Sequence, residues 1–148
     1  AEVSKDKYIL NILGKDKDAL IRFCVAKNIN TSPEALTYLS KDEWSEVKSK
    51  VAGNPNTPVD VLVTLSADIR GTIRVEVARN THTPIEILDR FSKDEDSNLR
   101  GNVLSNSSTP VEILEALSKD LNKRVKQEAS KELSRRKGMA KKLLDLDG

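Results

Sequence analysis

Residues 79–88 read RNTHTPIEIL. The same order of side chains returns as KNINTSPEAL from Lys27, GNPNTPVDVL from Gly53 and SNSSTPVEIL from Ser105. Each copy has an Asn, a short polar turn, a Thr and Pro, an acid and an aliphatic pair. Working outward, Leu39, Leu65, Phe91 and Leu117 of the LSKD-like segments stand 26 residues apart, and Leu13 of LGKD falls one period earlier. In the same register lie Asp16, Asp42, Asp68, Asp94 and Asp120; Ile21, Val47, Ile73, Leu99 and Val125; and Val25, Val51, Val77, Val103 and Ala129. A fixed period between about 20 and 50 residues marks a solenoid, whose units bury their apolar faces only against their neighbours.

Each unit divides into two helical pieces, one over TPxEILxxLSKD and one over VRxxVAxN. Val61, Leu62 and Leu65 lie at i, i+1 and i+4, and Ile73 and Val77 at i and i+4, so each piece turns one apolar stripe toward a common core. The expected architecture is an all-α solenoid of about four 26-residue two-helix repeats with a half-repeat at the N-terminus. The chain then reads as one repeat domain over residues 1–148: a half-repeat or cap at 1–17, tandem repeats at 18–133, and a cap or tail at 134–148.

The local chemistry predicts how the pieces begin and end. Thr57, Thr83 and Thr109 have N-cap character, Pro58, Pro84 and Pro110 suit the first helical position, and Asp60, Glu86 and Glu112 complete a capping box. In the first copy Ser32 takes the proline position and Pro33 is displaced by one, which predicts a looser cap. Asn28, Asn54, Asn80 and Asn106 fall just past the second piece, where Asn tolerates a left-handed backbone, and stacked copies form a ladder. After Lys131, Gly138 is expected to break a basic terminal stretch that reads either as a solubilising cap of the last repeat or as a basic arm.

The units VKSKVAGNPNTPVDVLVTLSAD and VEVARNTHTPIEILDRFSKD resemble the leucine-rich repeat variant family, and the resemblance covers roughly residues 19 to 133. It implies a right-handed superhelix in which α-helices alternate with short 3₁₀ segments. The repeat here is longer than the family's usual one, which leaves two forms open for the shorter segment, a 3₁₀ turn or a full α-helix. Some members carry a cysteine cluster for iron and sulfur ahead of the repeats; with Cys24 alone, this chain has no such set. The resemblance implies no common biochemical activity.

Composition narrows the remaining classes. Lys and Arg number 25 against 23 Asp and Glu, so a charged partner must be attracted by arrangement and not by total. No apolar run approaches the roughly 18 residues of a membrane span, and a single cysteine points to a reducing, cytoplasmic setting. His82 stands in a turn column with Asn30, Asn56 and Ser108, and Cys24 shares a column with Lys50, Glu76, Asn102 and Glu128. Neither belongs to a catalytic or metal-binding constellation, so neither an enzyme nor a cofactor nor a metal is expected.

Two surface features are candidates for function. Arg22, Lys48, Arg74, Arg100 and Lys126 form an all-basic column next to the core. One reading is a track for nucleic-acid phosphates; the other is cations whose stems lie on the core and whose heads pair with the aspartate column. Trp44 occupies the column of Asp18, Arg70, Asp96 and Asn122, where a tryptophan can anchor a partner or cover the first repeats. The expected function is a non-catalytic binding or scaffold module for a protein or peptide, with nucleic-acid backbone binding through the basic column as the alternative.

Overall fold

The computed structural model describes residues 2–146, and the side chains from Asp6 to Leu144. The elements are α1 (Glu2–Leu13), α2 (Ala19–Lys27), α3 (Pro33–Leu39), α4 (Ser45–Gly53), α5 (Val59–Leu65), α6 (Gly71–Arg79), α7 (Ile85–Ser92), α8 (Ser97–Leu104), α9 (Val111–Leu117) and α10 (Lys123–Leu146). All are α-helices, so the shorter piece of each repeat is α-helical and not 3₁₀. The longer pieces stack in one row, α2 on α4, α4 on α6, α6 on α8 and α8 on α10. The shorter pieces α3, α5, α7 and α9 flank that row, so the chain is an α-solenoid.

The periodic apolar columns form the core. Leu39, Leu65, Phe91 and Leu117 from the short helices and Val47, Ile73, Leu99 and Val125 from the long ones are buried. Val51, Val77, Val103 and Ala129 close the layer between them. At 7–9 residues, none of α2 to α9 is long enough to be stable in isolation, where about 12–15 residues are needed. Stacking supplies what local propensity does not.

The turn from each long helix into the next short one shows how the repeats are joined. Asn54 Nδ2 donates to the carbonyls of Ala26 and Asn28 at 2.8 and 2.9 Å, Asn80 to those of Ala52 and Asn54 at 2.8 and 3.0 Å, and Asn106 to those of Ala78 and Asn80 at 2.8 Å each. The amide oxygen of each Asn accepts from the backbone two residues on. The ladder is therefore real, but its backbone is extended, with φ of −73°, −75° and −72° at Asn28, Asn54 and Asn80. Asn is needed here because one buried amide must donate twice and accept once, and no left-handed residue is involved.

Three expectations about helix ends are corrected. Thr57, Thr83 and Thr109 do not cap the helix that follows. Their hydroxyls donate back to Val51, Val77 and Val103 at 2.5–2.6 Å, closing the helix before, and the prolines take the N-cap position without a side-chain bond. The hydroxyl is buried beside a helix-end carbonyl that accepts only the amide of Asn54, Asn80 or Asn106, and filling its second lone pair outweighs capping a solvated amide. The first copy is the better capped one: Ser32 Oγ accepts from the Ala35 amide at 3.2 Å while Thr31 makes the same backward bond as its counterparts. Gly138 does not break the terminal stretch, since α10 runs through it to Leu146. A glycine costs a helix only about 1 kcal/mol, and in this 24-residue helix its neighbours carry it.

The ladder also has an ending. The register places Glu132 where a fifth asparagine would stand. Its carboxylate accepts from Arg136 Nε at 2.8 Å, and Arg136 donates to the carbonyls of Asn106, at 3.2 Å, and Thr109. One arginine thus takes up two carbonyls of this last turn, including that of Asn106, one of the two that a further asparagine would have reached.

Replacing Asn80 by Ala leaves the Ala52 carbonyl and the His82 amide without their partners and removes one of the two bonds to the Asn54 carbonyl, which still accepts from the Thr57 amide. We predict a loss of about 2–4 kcal/mol in urea unfolding. Asn28→Ala, at the exposed start of the row, is expected to cost less than about 1 kcal/mol.

Candidate functional site

Each LSKD segment links a short helix to the long helix after it. Its aspartate shapes the turn in every copy and in three of them also binds a cation. One carboxylate oxygen of Asp16, Asp42, Asp68, Asp94 and Asp120 accepts from the amide two residues on, at 2.7–2.9 Å, which shapes the turn. The second use is pairing with the basic column of the preceding repeat.

Arg22 binds Asp42 through Nε and Nη2 at 2.6 and 3.1 Å, and Arg100 binds Asp120 in the same way at 2.7 and 2.8 Å. The Nη1 groups of Arg22 and Arg100 donate to the carbonyls of their own linkers, those of Asp16 and Lys17 and of Asp94 and Glu95. Each arginine therefore stitches two consecutive linkers together. Lys48 lacks the planar fork and reaches only Asp68, at 3.4 Å. Arg74 donates to the carbonyls of Asp68 and Ile69, but its buried Nε finds no acceptor, and no pair with Asp94 forms among the described residues. Lys126 is exposed and unpaired among the described residues. Three of the five cations are thus held by carboxylates inside the molecule and position the linkers.

The charges respond accordingly. Burial pushes the Asp42 carboxyl up, but the Arg22 guanidinium and the Trp44 amide outweigh it and hold the group below its ordinary range. Asp68 is also lowered, with the Arg70 amide and Lys48 prevailing over burial. Arg100 is the main cause that holds Asp120 down, and the hydrogen bond from Arg135, aided by Arg136, holds Glu132 down to about 2.

The aspartates fix where the residues after them project. The Trp44 amide is held at 2.9 Å by Asp42 Oδ1, itself gripped by Arg22. In the Trp44 column, Asp18 and Asp96 cap their helices by accepting from Leu20 and Asn98 at 2.9 and 2.8 Å. Trp44 stands at the N-cap of α4 and makes no such bond. It is 38% exposed, and Ile69, one repeat on and one residue before Arg70, is 89% exposed. Leu121, in the Ile69 column two repeats further, is fully exposed. Ile69 and Leu121 were not singled out from the sequence. Their column reads Lys17, Glu43, Ile69, Glu95, Leu121, and that switch between charged and apolar residues is the signal that marks them.

The first two linkers also enclose a hollow of about 430 Å³, walled by Lys15, Asp16, Lys17, Arg22, Tyr38, Lys41, Asp42 and Glu43. The Lys15 ammonium sits 5.5 Å from the centre of the Tyr38 ring. No group of three or more His, Cys, Asp or Glu is placed to hold a metal ion among the described residues, and no described helix is long and apolar enough to cross a membrane. Cys24 is exposed and His82 is an exposed turn residue.

No protein-family model and no curated protein matches the chain. Among solved structures it is similar to one described as a leucine-rich repeat variant with a novel repetitive protein structural motif, with a TM-score of 0.65 and 22% identity. That likeness covers 86% of this chain and 51% of the other, so the chain spans about half the length of the protein it matches. It establishes the repeat fold that the sequence resemblance implied.

The folded-state carboxyls of Asp42, Asp68, Asp120 and Glu132 titrate below their unfolded values, about 3.9 for Asp and 4.3 for Glu. Their contribution to stability is therefore complete above about pH 4.5 and is lost as pH falls toward 2. Urea midpoints measured between about pH 6 and pH 2.5 should fall with acid, and Asp120→Asn should lower the midpoint at pH 6 and flatten that fall.

Proposed function

We propose that this protein is a non-catalytic binding module that presents its linker edge to a protein or peptide partner. The observation that carries this reading is Trp44, a large aromatic residue set in a helix-capping column where it caps nothing and stays partly exposed. Giving up an N-cap costs about 0.5–2 kcal/mol, and buried tryptophans are among the commonest anchors at protein interfaces. Ile69 adds a second exposed apolar side chain on the linkers, and Lys15, Lys17 and Lys41 offer cations to an acidic group in a hollow that also carries Asp16, Asp42 and Glu43. The fitting partner is a segment with an apolar side chain for Trp44 and a carboxylate for the lysines.

The alternative, nucleic-acid backbone binding through the basic column, has fewer charges to draw on. Arg22, Lys48 and Arg100 face carboxylates, leaving Arg74 and Lys126 without one among the described residues. Five phosphate contacts on duplex DNA would give a log-affinity against log-salt slope near −4.5, whereas two give about −2.

Trp44 is the sole tryptophan, so its emission reports on this edge directly. A peptide selected from a displayed library against the purified protein should shift that emission to the blue and protect it from acrylamide. Trp44→Asp, which installs the residue found at Asp18 and Asp96, should keep the helical circular dichroism and weaken the peptide about 30-fold or more by calorimetry. Selected peptides that bind the variant undiminished would refute the assignment. Separately, duplex DNA titrated between about 50 and 200 mM salt should show a slope no steeper than about −2.

A further inference from the structure

The outward side of the short helices, in the interior of the array, carries a second periodic pattern. The first residues of α5, α7 and α9 are Val59, Ile85 and Val111, one period apart, and they are 50%, 53% and 36% exposed. At 3.6 residues per turn, Val61, Leu62 and Leu65 share the buried side of α5, while Val59, Asp60 and Val63 share the other. Val63 is exposed as well, so the centre of this side is aliphatic over a full turn. Neither the core nor the helix asks for these residues. Val and Ile rank below Ala, Lys and Glu as helix formers, and a first turn favours acids.

Beside the aliphatic row, Asp60, Glu86 and Glu112 form a parallel acidic column. All three are exposed, and none of them joins an ion pair among the described residues. The other acids of this side are occupied, Asp89 by Lys93 at 2.7 Å and Glu115 by Lys137 at 3.0 Å. Arg90 is turned onto Ser66, whose hydroxyl accepts from it at 2.6 Å. The first copy departs from the pattern, with Pro33 in the row and Glu34 within the field of Lys7. The helix dipole accounts for an acid in each first turn; it does not account for an exposed aliphatic residue next to it in three successive repeats.

From this we infer that Val59, Ile85 and Val111 form a docking row for a basic amphipathic helix of a partner protein. Charge decides the partner: an acidic helix on this row would set like charges against Asp60, Glu86 and Glu112, whereas lysines or arginines beside its apolar residues meet each carboxylate. Spacing decides the form. Stacked helices lie about 8–10 Å apart, and seven residues of an α-helix rise about 10.5 Å. A helix laid along the array therefore offers one apolar side chain per heptad to each of the three repeats, over about 21 Å. The row stands at the starts of the short helices, and Trp44 and the linkers stand beyond their ends. It is a second surface, with a charge preference opposite to that of the lysine-bearing hollow.

The test titrates the full isotope-labelled chain with a defined probe, an amidated peptide of three heptads, about 32 Å long as a helix. It carries leucine once per heptad, lysine before and after each leucine, and alanine elsewhere. Amide resonances in the first turns of α5, α7 and α9 should shift and saturate, and the same peptide with glutamate for lysine should leave them in place. Ile85→Ser alters one exposed side chain, keeps the helical circular dichroism, and should weaken the probe at least about fivefold. Asp60→Asn, Glu86→Gln and Glu112→Gln together should weaken it at least about tenfold and flatten its salt dependence. Trp44→Asp should not affect it, so the row and the linker edge stand or fall separately. The assignment is overturned by no saturable shift up to about 1 mM peptide, by shifts centred on the linkers, or by equal binding of the glutamate peptide. Self-association of the chain that Ile85→Ser abolishes would give the row to a second copy and overturn it too.

Discussion

The structure rests on an uncharged side chain that bonds across repeats. Each interior asparagine donates to two carbonyls of the repeat before it and accepts an amide from its own turn. Both carbonyls are helix-end groups without an intrahelical partner; one accepts a turn amide besides, and burying the other bare would cost more than the whole net gain from an average hydrogen bond. Because the bonds run between repeats, the register of stacking is set by polar geometry, while the apolar columns supply most of the free energy without specifying it. The threonine hydroxyls finish the same task on the valine carbonyls one turn away. Between them, Asn and Thr leave the buried turn with its acceptors matched, which explains why these two residue types and not merely polar ones recur at the 26-residue spacing.

This division also explains what was legible in the sequence. The repeat length, the two helices per unit and the core columns follow from periodicity alone, because stacked units must place equivalent apolar residues against one another. The roles of the turn residues were less accessible. Thr57 before Pro58 has the local pattern of an N-cap, and only the spatial return of the chain shows that its hydroxyl sits against Val51. Gly138 carries a breaker's reputation that a long helix overrides. For the candidate site, the basic column and Trp44 were identifiable by register, but the bidentate pairing of Arg22 and Arg100 depends on the distance between successive linkers, which no single repeat encodes. Ile69 and Leu121 escaped because exposed aliphatic residues in a loop carry no pattern until their column is compared across repeats.

The linkers show how one set of residues serves both rigidity and presentation. Arg22 grips Asp42, Asp42 holds the Trp44 amide, and the indole is thereby aimed from a backbone that has little freedom to move. A side chain presented from such a frame loses less entropy on binding than one on a mobile loop. The same ion pairs that remove charge from the surface therefore prepare the aromatic residue beside them. Capping is retained at Asp18 and Asp96 and relinquished at Trp44 and at Arg70, and of the two residues that cap nothing only Trp44 is aromatic.

The Arg136 clasp on Asn106 and Thr109 has a consequence for how such a chain can grow. A duplicated 26-residue segment placed after α10 would meet a guanidinium already seated on the Asn106 carbonyl, one of the two that its asparagine would use. The same segment spliced in ahead of α10, in phase, would present a fresh asparagine to the old ladder and hand its own carbonyls to the arginine. Tandem duplication ahead of α10 therefore keeps the arginine clasp intact, whereas duplication after it must first displace the arginine, much as a zip fastener is lengthened above its stop and not below it.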